Sequence, residues 1–238
     1  MCMRFFGWLG AILVPLSLSA QSLIVGIPST DAVHKKELML AFEGQVNRFR
    51  AGNYFNSFTF SAYGLGHGTE LAASLYGFSN PGSGNRSIGF GGKKVFGWNR
   101  TGDRWEKKVF VGGMVPFSFD GQGVGYWAYG GVSARVPGWK TRFTAGPSIG
   151  TKQIFGTAGG RNNLHAMVGF EQPLNKKWGI VSDWFTGTHD LAAGIFALSY
   201  QPDKKTLIIF GWKAANNAQS GKPAFMIEVT RFFNSPAH

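Results

Sequence analysis

Residues 224–233 read Ala-Phe-Met-Ile-Glu-Val-Thr-Arg-Phe-Phe, and their alternation decides the fold. Phe225, Ile227, Val229 and Phe233 fall on one side of an extended chain, opposite Met226, Glu228 and Thr230. The same period of two recurs upstream. Val109, Val111, Gly113, Val115 and Phe117 share a face, and Phe143, Ala145 and Ile149 oppose Arg142, Thr144 and Ser148. Leu164, Ala166, Val168 and Phe170 oppose His165, Met167, Gly169 and Glu171. Such a pattern predicts strands with one apolar face. Segments 124–136 and 191–200 are less regular, being apolar or small on both faces.

Turn-rich pieces at 80–85, 120–123 and 201–203 help divide the chain into strand-like segments. These are 37–46, 55–64, 69–78, 87–96, 105–119, 124–136, 140–155, 162–172, 178–186, 191–200, 206–214 and 223–233. Residues 37–233 therefore spend roughly 16 residues on each strand and turn, which suits transmembrane strands of ~9–11 residues with short connections. Composition agrees. Glycine takes 35 of 238 positions, about twice its usual share. Aromatic residues make up 15% and charged residues only 15%, against a typical ~25% charged. Glycine at that density opposes a helical bundle, at about 1 kcal/mol per helix position relative to Ala. Low charge and many aromatics oppose disorder. The expected class is all-β: a closed antiparallel transmembrane β-barrel of about twelve strands.

The first twenty residues have the form of a secretory signal. Arg4 supplies the positive end, residues 5–18 carry no charge, and Ser17-Leu18-Ser19-Ala20 offers small residues for cleavage before Gln21. A spanning anchor is the competing reading, opposed by the short run and by Pro15. Cleavage would remove Cys2, the one cysteine, so the mature chain would hold together without disulfides. The expected organisation is a signal over 1–20, an irregular lead over 21–36, the barrel over 37–233 and a short tail over 234–238. No long loop is available to fold inward, so the lead, placed on the periplasmic side, is the one candidate for a lumen plug.

A soluble sandwich or lipocalin-like barrel would alternate as well, with its polar face outward. Three features favour the membrane: the number and even spacing of the strands, the Phe232-Phe233 ending, and aromatics near strand ends. Those aromatics are Trp98, Trp105, Trp127, Tyr129, Trp139, Trp178, Trp184 and Trp212, the pattern of interfacial girdles. With these features the chain resembles the Gram-negative outer-membrane β-barrels. Residues 224–233 are similar to the terminal-strand signal read by the barrel-assembly machinery, although Asn234 to His238 follow the last aromatic. Residues 178–217 resemble the closing hairpins of transporter-type barrels. The resemblance implies a bacterial outer-membrane location and insertion by that machinery. It implies no substrate.

Net charge is +12, from 24 basic and 12 acidic residues. With no run of like charge longer than two and an export signal in front, a nucleic-acid partner is not expected. Strand parity points Glu37, Glu43, Glu106, Glu171, Asp183 and Glu228 into the lumen, with Lys93, Lys108, Arg142, Lys152 and Lys213 against them and His165 beside them. That interior is mixed in sign. It suits either a structural network of ion pairs or a constriction that orients a solute. Eight strands are filled by their own side chains and sixteen leave a channel, so twelve leaves both readings open. Arg48, Arg50, Arg86, Arg161 and Lys222 fall in the outer loops. They are candidates for contacts to lipopolysaccharide phosphates or are ordinary solvated charge.

Motifs of chemistry are sparse. The histidines show no H-E-x-x-H spacing, and no G-x-S-x-G occurs. Gly121-Gln122-Gly123-Val124-Gly125 reads as hairpin glycine, since no strand–turn–helix context surrounds it. No enzyme activity, cofactor or metal is expected. The expected function is passive movement of small polar or anionic solutes through the lumen. The expected partners are outer-membrane lipids, lipopolysaccharide, the assembly machinery and small solutes. A closed structural or lipopolysaccharide-binding barrel is the alternative, with a barrel-embedded lipid-modifying enzyme third.

Overall fold

A computed structural model describes residues 22–47, 54–77, 86–99, 103–155, 163–189 and 191–234. The expected signal over 1–20, Gln21 and the tail beyond Asn234 lie outside the described residues. Twelve antiparallel strands follow one another along the chain. They are β1 (Leu38–Asn47), β2 (Tyr54–Gly66), β3 (Thr69–Tyr76), β4 (Ser87–Gly97), β5 (Glu106–Ser118), β6 (Trp127–Arg135), β7 (Arg142–Gly150), β8 (Asn163–Pro173), β9 (Trp178–Phe185), β10 (Ala193–Asp203), β11 (Thr206–Ala215) and β12 (Ala224–Phe233). Each pairs with its neighbours in sequence, and β12 closes on β1 from Leu38↔Phe233 to Val46↔Phe225. Closure removes every free strand edge. One end of the barrel, the turn end, carries the tight connections 67–68 and 204–205. The other, the loop end, carries connections such as 119–126 and 186–192.

Alternation sorts the side chains as the sequence pattern requires. In β12, Phe225 is 53% and Ile227 50% exposed, while Met226 and Glu228 keep only 3% each. The outward face is apolar around the circumference, with Leu40, Leu71, Phe90, Val111, Phe143, Val168, Phe196 and Phe210 all exposed. The inward face holds Met39, Phe60, Met114 and Met167 beside buried Glu43, Lys93, Arg142 and Asp183. This is the reverse of a water-soluble barrel, where apolar side chains turn inward. Trp98, Trp105, Trp139 and Trp178 lie exposed at the turn end. At the loop end Trp184 is exposed, and Trp212 packs its edge on the outward Phe225 ring at 4.8 Å.

Three expectations change. Trp127 and Tyr129 do not belong to the girdle; both lie on the inward phase of β6 and pack against the buried core. The Trp127 indole N–H donates to Ser148 Oγ at 2.6 Å, and Gly112, paired across from Tyr129, leaves room for its ring. Proximity to a strand end does not fix the face; parity does. The segment 140–155 is not one strand. β7 stops at Gly150, and residues Lys152–Phe155 form a single helical turn, α1, closed by hydrogen bonds from Ile154 and Phe155 N–H to Thr151 O. That turn buries Gln153 and Phe155 and leaves Lys152 exposed, so Lys152 is not a lumen residue.

Strands β6 and β7 approach closely where both carry glycine. A Cβ added at Gly146 would lie 1.9 Å from the Gly130 carbonyl oxygen and 2.5 Å from Gly131 Cα, backbone atoms of β6 that cannot swing aside as a side chain would. Gly97 has open space at the same position. Gly146→Ala should therefore lower the unfolding free energy by about 1–3 kcal/mol. Gly97→Ala should stay within about 0.5 kcal/mol. Urea titration in detergent, read by β-type circular dichroism, measures both; equal effects would contradict the close contact.

Candidate functional site

The lumen is occupied by the chain's own N-terminal segment. Residues 22–29 form a tight hairpin in which Leu23 bridges Pro28, Ser29 N–H donates to Ser22 O at 3.0 Å, and Ile24 N–H donates to Ile27 O at 2.8 Å. Its tip is Val25-Gly26. Ile24, Val25 and Ile27 are buried and pack with Phe155, Met167, Val181 and Ile195 from the wall. Gly169 makes the space: a Cβ there would lie 2.2 Å from Ile24 Cδ1. Residues 30–37 then lead back to the turn end, where Lys36 N–H meets Gly64 O and β1 begins.

Polar and charged groups from six strands hold this segment. At the tip, one oxygen of Asp183 on β9 accepts three backbone N–H groups, from Val25 (3.0 Å), Gly26 (2.7 Å) and Ile27 (3.2 Å). The geometry is that of an anion seated in a backbone nest. At the base, Lys93 on β4 donates its ammonium to the carbonyl oxygens of Ser22 (2.7 Å), Ser29 (3.0 Å) and Asp31 (2.7 Å). Glu70 on β3 lies 3.4 Å from the same ammonium, accepts Val33 N–H at 2.8 Å and bonds the Ser22 hydroxyl. Thr30 shares a 2.6 Å hydrogen bond with Ser133 on β6.

Asp31 sits between Lys108 on β5 at 2.9 Å and Arg142 on β7 at 2.6 Å. Burial alone would raise its carboxyl pKa, but the two cations outweigh burial and hold it well below the usual carboxylate range. Arg142 also grips Glu171 with two parallel hydrogen bonds of 2.5 and 2.6 Å, the strong fork arrangement. Glu106 extends the network through Lys108 at 2.9 Å and Arg135 at 3.4 Å.

The residues expected in the lumen thus divide into two groups. Lys93, Glu106, Lys108, Arg142, Glu171 and Asp183 converge on or around the hairpin. Glu37 is buried at its base, where its carboxylate accepts His34 N–H. Glu43, Lys213 and Glu228 lie on the β11–β12–β1 wall, and Gln45 links the first two: its amide donates to Glu43 at 2.5 Å and accepts from Lys213 at 3.2 Å. Glu228 accepts Thr230 Oγ1–H at 2.9 Å. Asp31, Glu70, Ser133 and Arg135 were not expected as lumen groups. Glu70 was within reach of strand parity, since it shares a phase with Ala72 and Ser74. Asp31 was not, because the lead has no period. Of the outer-loop cations, Arg86 is engaged by Asp120 in a 2.6 Å ion pair, Lys222 is exposed, and Arg48, Arg50 and Arg161 lie outside the described residues.

The hairpin divides the space that remains. A cavity of about 110 Å³ lies between its tip and the loop end, with Leu23, Val25 and Gly26 along one side. A smaller one of about 50 Å³ lies toward the turn end beside Asp31, Arg142 and Trp178. No protein-family model matches the chain, and no curated protein is significantly similar to it.

His165 lies at the loop end, its ring 4.1 Å from that of His189 and 5.0 Å from Phe155. His189 is fully buried in the connection after β9. Its Nε2–H donates to Thr186 O at 2.9 Å, while Nδ1 accepts Leu191 N–H at 3.2 Å. Burial first, and the His165 ring second, push its pKa from 6.5 down to about 4 against the hydrogen bond to Thr186. Folded His189 therefore resists a proton that the unfolded chain accepts, and local stability falls as pH drops from 6.5 towards 4. Protonation also removes the acceptor for Leu191. Hydrogen-exchange protection at Leu191, corrected for intrinsic rate, should decline across that window. A flat profile would contradict the assigned tautomer.

Proposed function

We propose that the protein is a Gram-negative outer-membrane barrel of transporter type. Its lumen is closed at rest by the N-terminal hairpin and passes small polar solutes when the hairpin withdraws. The continuous exposed apolar face and its two tryptophan rims support the membrane setting: lipid would cover side chains that water covers only at a cost of about 25 cal/mol per Å². The observation that carries the transport reading is the hairpin's position between two lumen cavities. A permanently open passage needs a clear lumen, and Ile24, Val25 and Ile27 fill this one. Hydrogen bonds and ion pairs, which can re-form with solute or water, make up much of the hold on the hairpin.

Planar-bilayer recording tests the reading. The wild-type chain should give rare or small conductance steps. Asp183→Ala removes the acceptor at the tip, and Gly169→Val occupies the space of Ile24, so each unseats the hairpin by a different route. Both should raise open probability severalfold while keeping heat-modifiable gel migration and β-type circular dichroism. Large, steady wild-type conductance would show that the hairpin does not close the path. Silence from both folded variants would mean that the lumen conducts nothing.

A further inference from the structure

We infer that the turn end of the barrel binds anionic phospholipid in the leaflet beside it, through a basic arc that runs from β8 round to β1. Lysine pairs stand exposed at successive turn-end positions: Lys176-Lys177 between β8 and β9, Lys204-Lys205 between β10 and β11, and Lys35-Lys36 in the lead just before β1. They are far apart in sequence, but the strand order β8-β9-β10-β11-β12-β1 sets them side by side on the rim. Two to three strands, about 10–15 Å at ordinary strand spacing, separate one pair from the next. Exposed Arg231 on β12 lies in the widest gap.

Positive charge outnumbers negative along this arc. Its exposed carboxylate among the described residues, Asp203, is already engaged with Arg231 at 3.3 Å. On the other half of the rim, carboxylates stand among the cations: Asp103 lies 3.1 Å from Lys107, and Glu106 3.4 Å from Arg135. The arc lysines join the fold through their backbone. Lys177 N–H donates to Asn175 Oδ1 at 2.8 Å, Lys205 N–H to Asp203 Oδ1 at 2.6 Å and Lys36 N–H to Gly64 O at 2.8 Å.

A lipid headgroup suits the arc better than a soluble acidic protein does, because these lysines border the apolar belt. Leu174 is exposed in the same connection as Lys176-Lys177, and Phe233 is exposed where β12 ends. Trp178 directly follows Lys177, its ring 4.5 Å from that of Tyr200. Aromatic rings at a barrel rim lie at headgroup level, which sets the neighbouring ammonium groups beside phosphates. Basic clusters at that level are drawn to lipids of net negative charge. Phosphatidylglycerol is such a lipid, whereas phosphatidylcholine brings a cation of its own that repels the lysines. The inference rests on the membrane setting proposed above and not on transport.

Native mass spectrometry of the whole chain, released from detergent micelles titrated with lipid, tests the arc. Phosphatidylglycerol should bind at least about fivefold more tightly than phosphatidylcholine. Lys176→Gln, Lys177→Gln, Lys204→Gln and Lys205→Gln together should remove most of that preference. Lys152→Gln with Lys222→Gln, both exposed at the loop end, should leave it unchanged. Should the fourfold variant not fold, Lys204→Gln with Lys205→Gln decides, with a loss of preference of at least about twofold expected. Equal affinity for the two lipids, an arc variant that keeps the full preference, or a loop-end variant that loses it would overturn the inference. Vesicle flotation and heat-modifiable migration separate this from the setting it rests on. A chain that does not insert loses the membrane reading and the inference together, while insertion without lipid preference sinks the inference alone.

Discussion

One buried ammonium group governs how the wall and the N-terminal segment fit together. Lys93 lies inside the barrel with 3% of its surface exposed, and a cation there must have its donors occupied. Glu70 neutralises its charge, but three backbone carbonyls of the N-terminal segment take its hydrogen bonds. The wall is therefore incomplete without the segment it encloses. Asp183 repeats the logic with the opposite sign, its carboxylate surrounded by hairpin N–H groups. A cation at the base and an anion at the tip fix both the depth and the direction of insertion. The apolar side chains of the hairpin then fill the space between.

The molecule has two environments that exchange their usual places. Outside, an apolar surface runs around the circumference; inside, ionised groups form networks in which nearly every member has more than one partner. Arg142 joins β7, β8 and the hairpin through Glu171 and Asp31. Such links make the interior rigid only while the N-terminal segment is seated, because Asp31 belongs to that segment. Buried ion pairs are modest sources of net stability but strong sources of specificity when one partner's loss leaves a charge uncovered. Here the specificity falls on the seat of a single short segment.

Much of the barrel was legible in the sequence, since a strand's period of two survives in the order of residues and the glycine-rich turns mark its ends. β12 and β8 could be read residue by residue, inward Glu228 and Glu171 included. Trp127 misled because a tryptophan near a strand end suits a membrane rim and a lumen equally, and only phase separates the two. Lys152 misled because Thr151 turns the chain into α1, a local event that alternation does not register. The hairpin was least legible. Residues 22–36 have no period, and their hydrogen-bond partners on the barrel wall stand 28 to 158 residues away, so nothing near Asp31 in sequence announces Lys108 or Arg142.

That separation bears on how the molecule is made. The segment at the start of the chain finds its partner Asp183 only after β9 exists, and β12 must still close on β1, the strand directly behind the hairpin. Contacts of this span form late and slowly. The earliest residues of the barrel protein are thus among the last to reach their final places, and must stay out of unproductive pairings in the meantime. Their lack of strand-like alternation serves that wait: a piece with no β period makes a poor competitor for any exposed edge of the growing sheet.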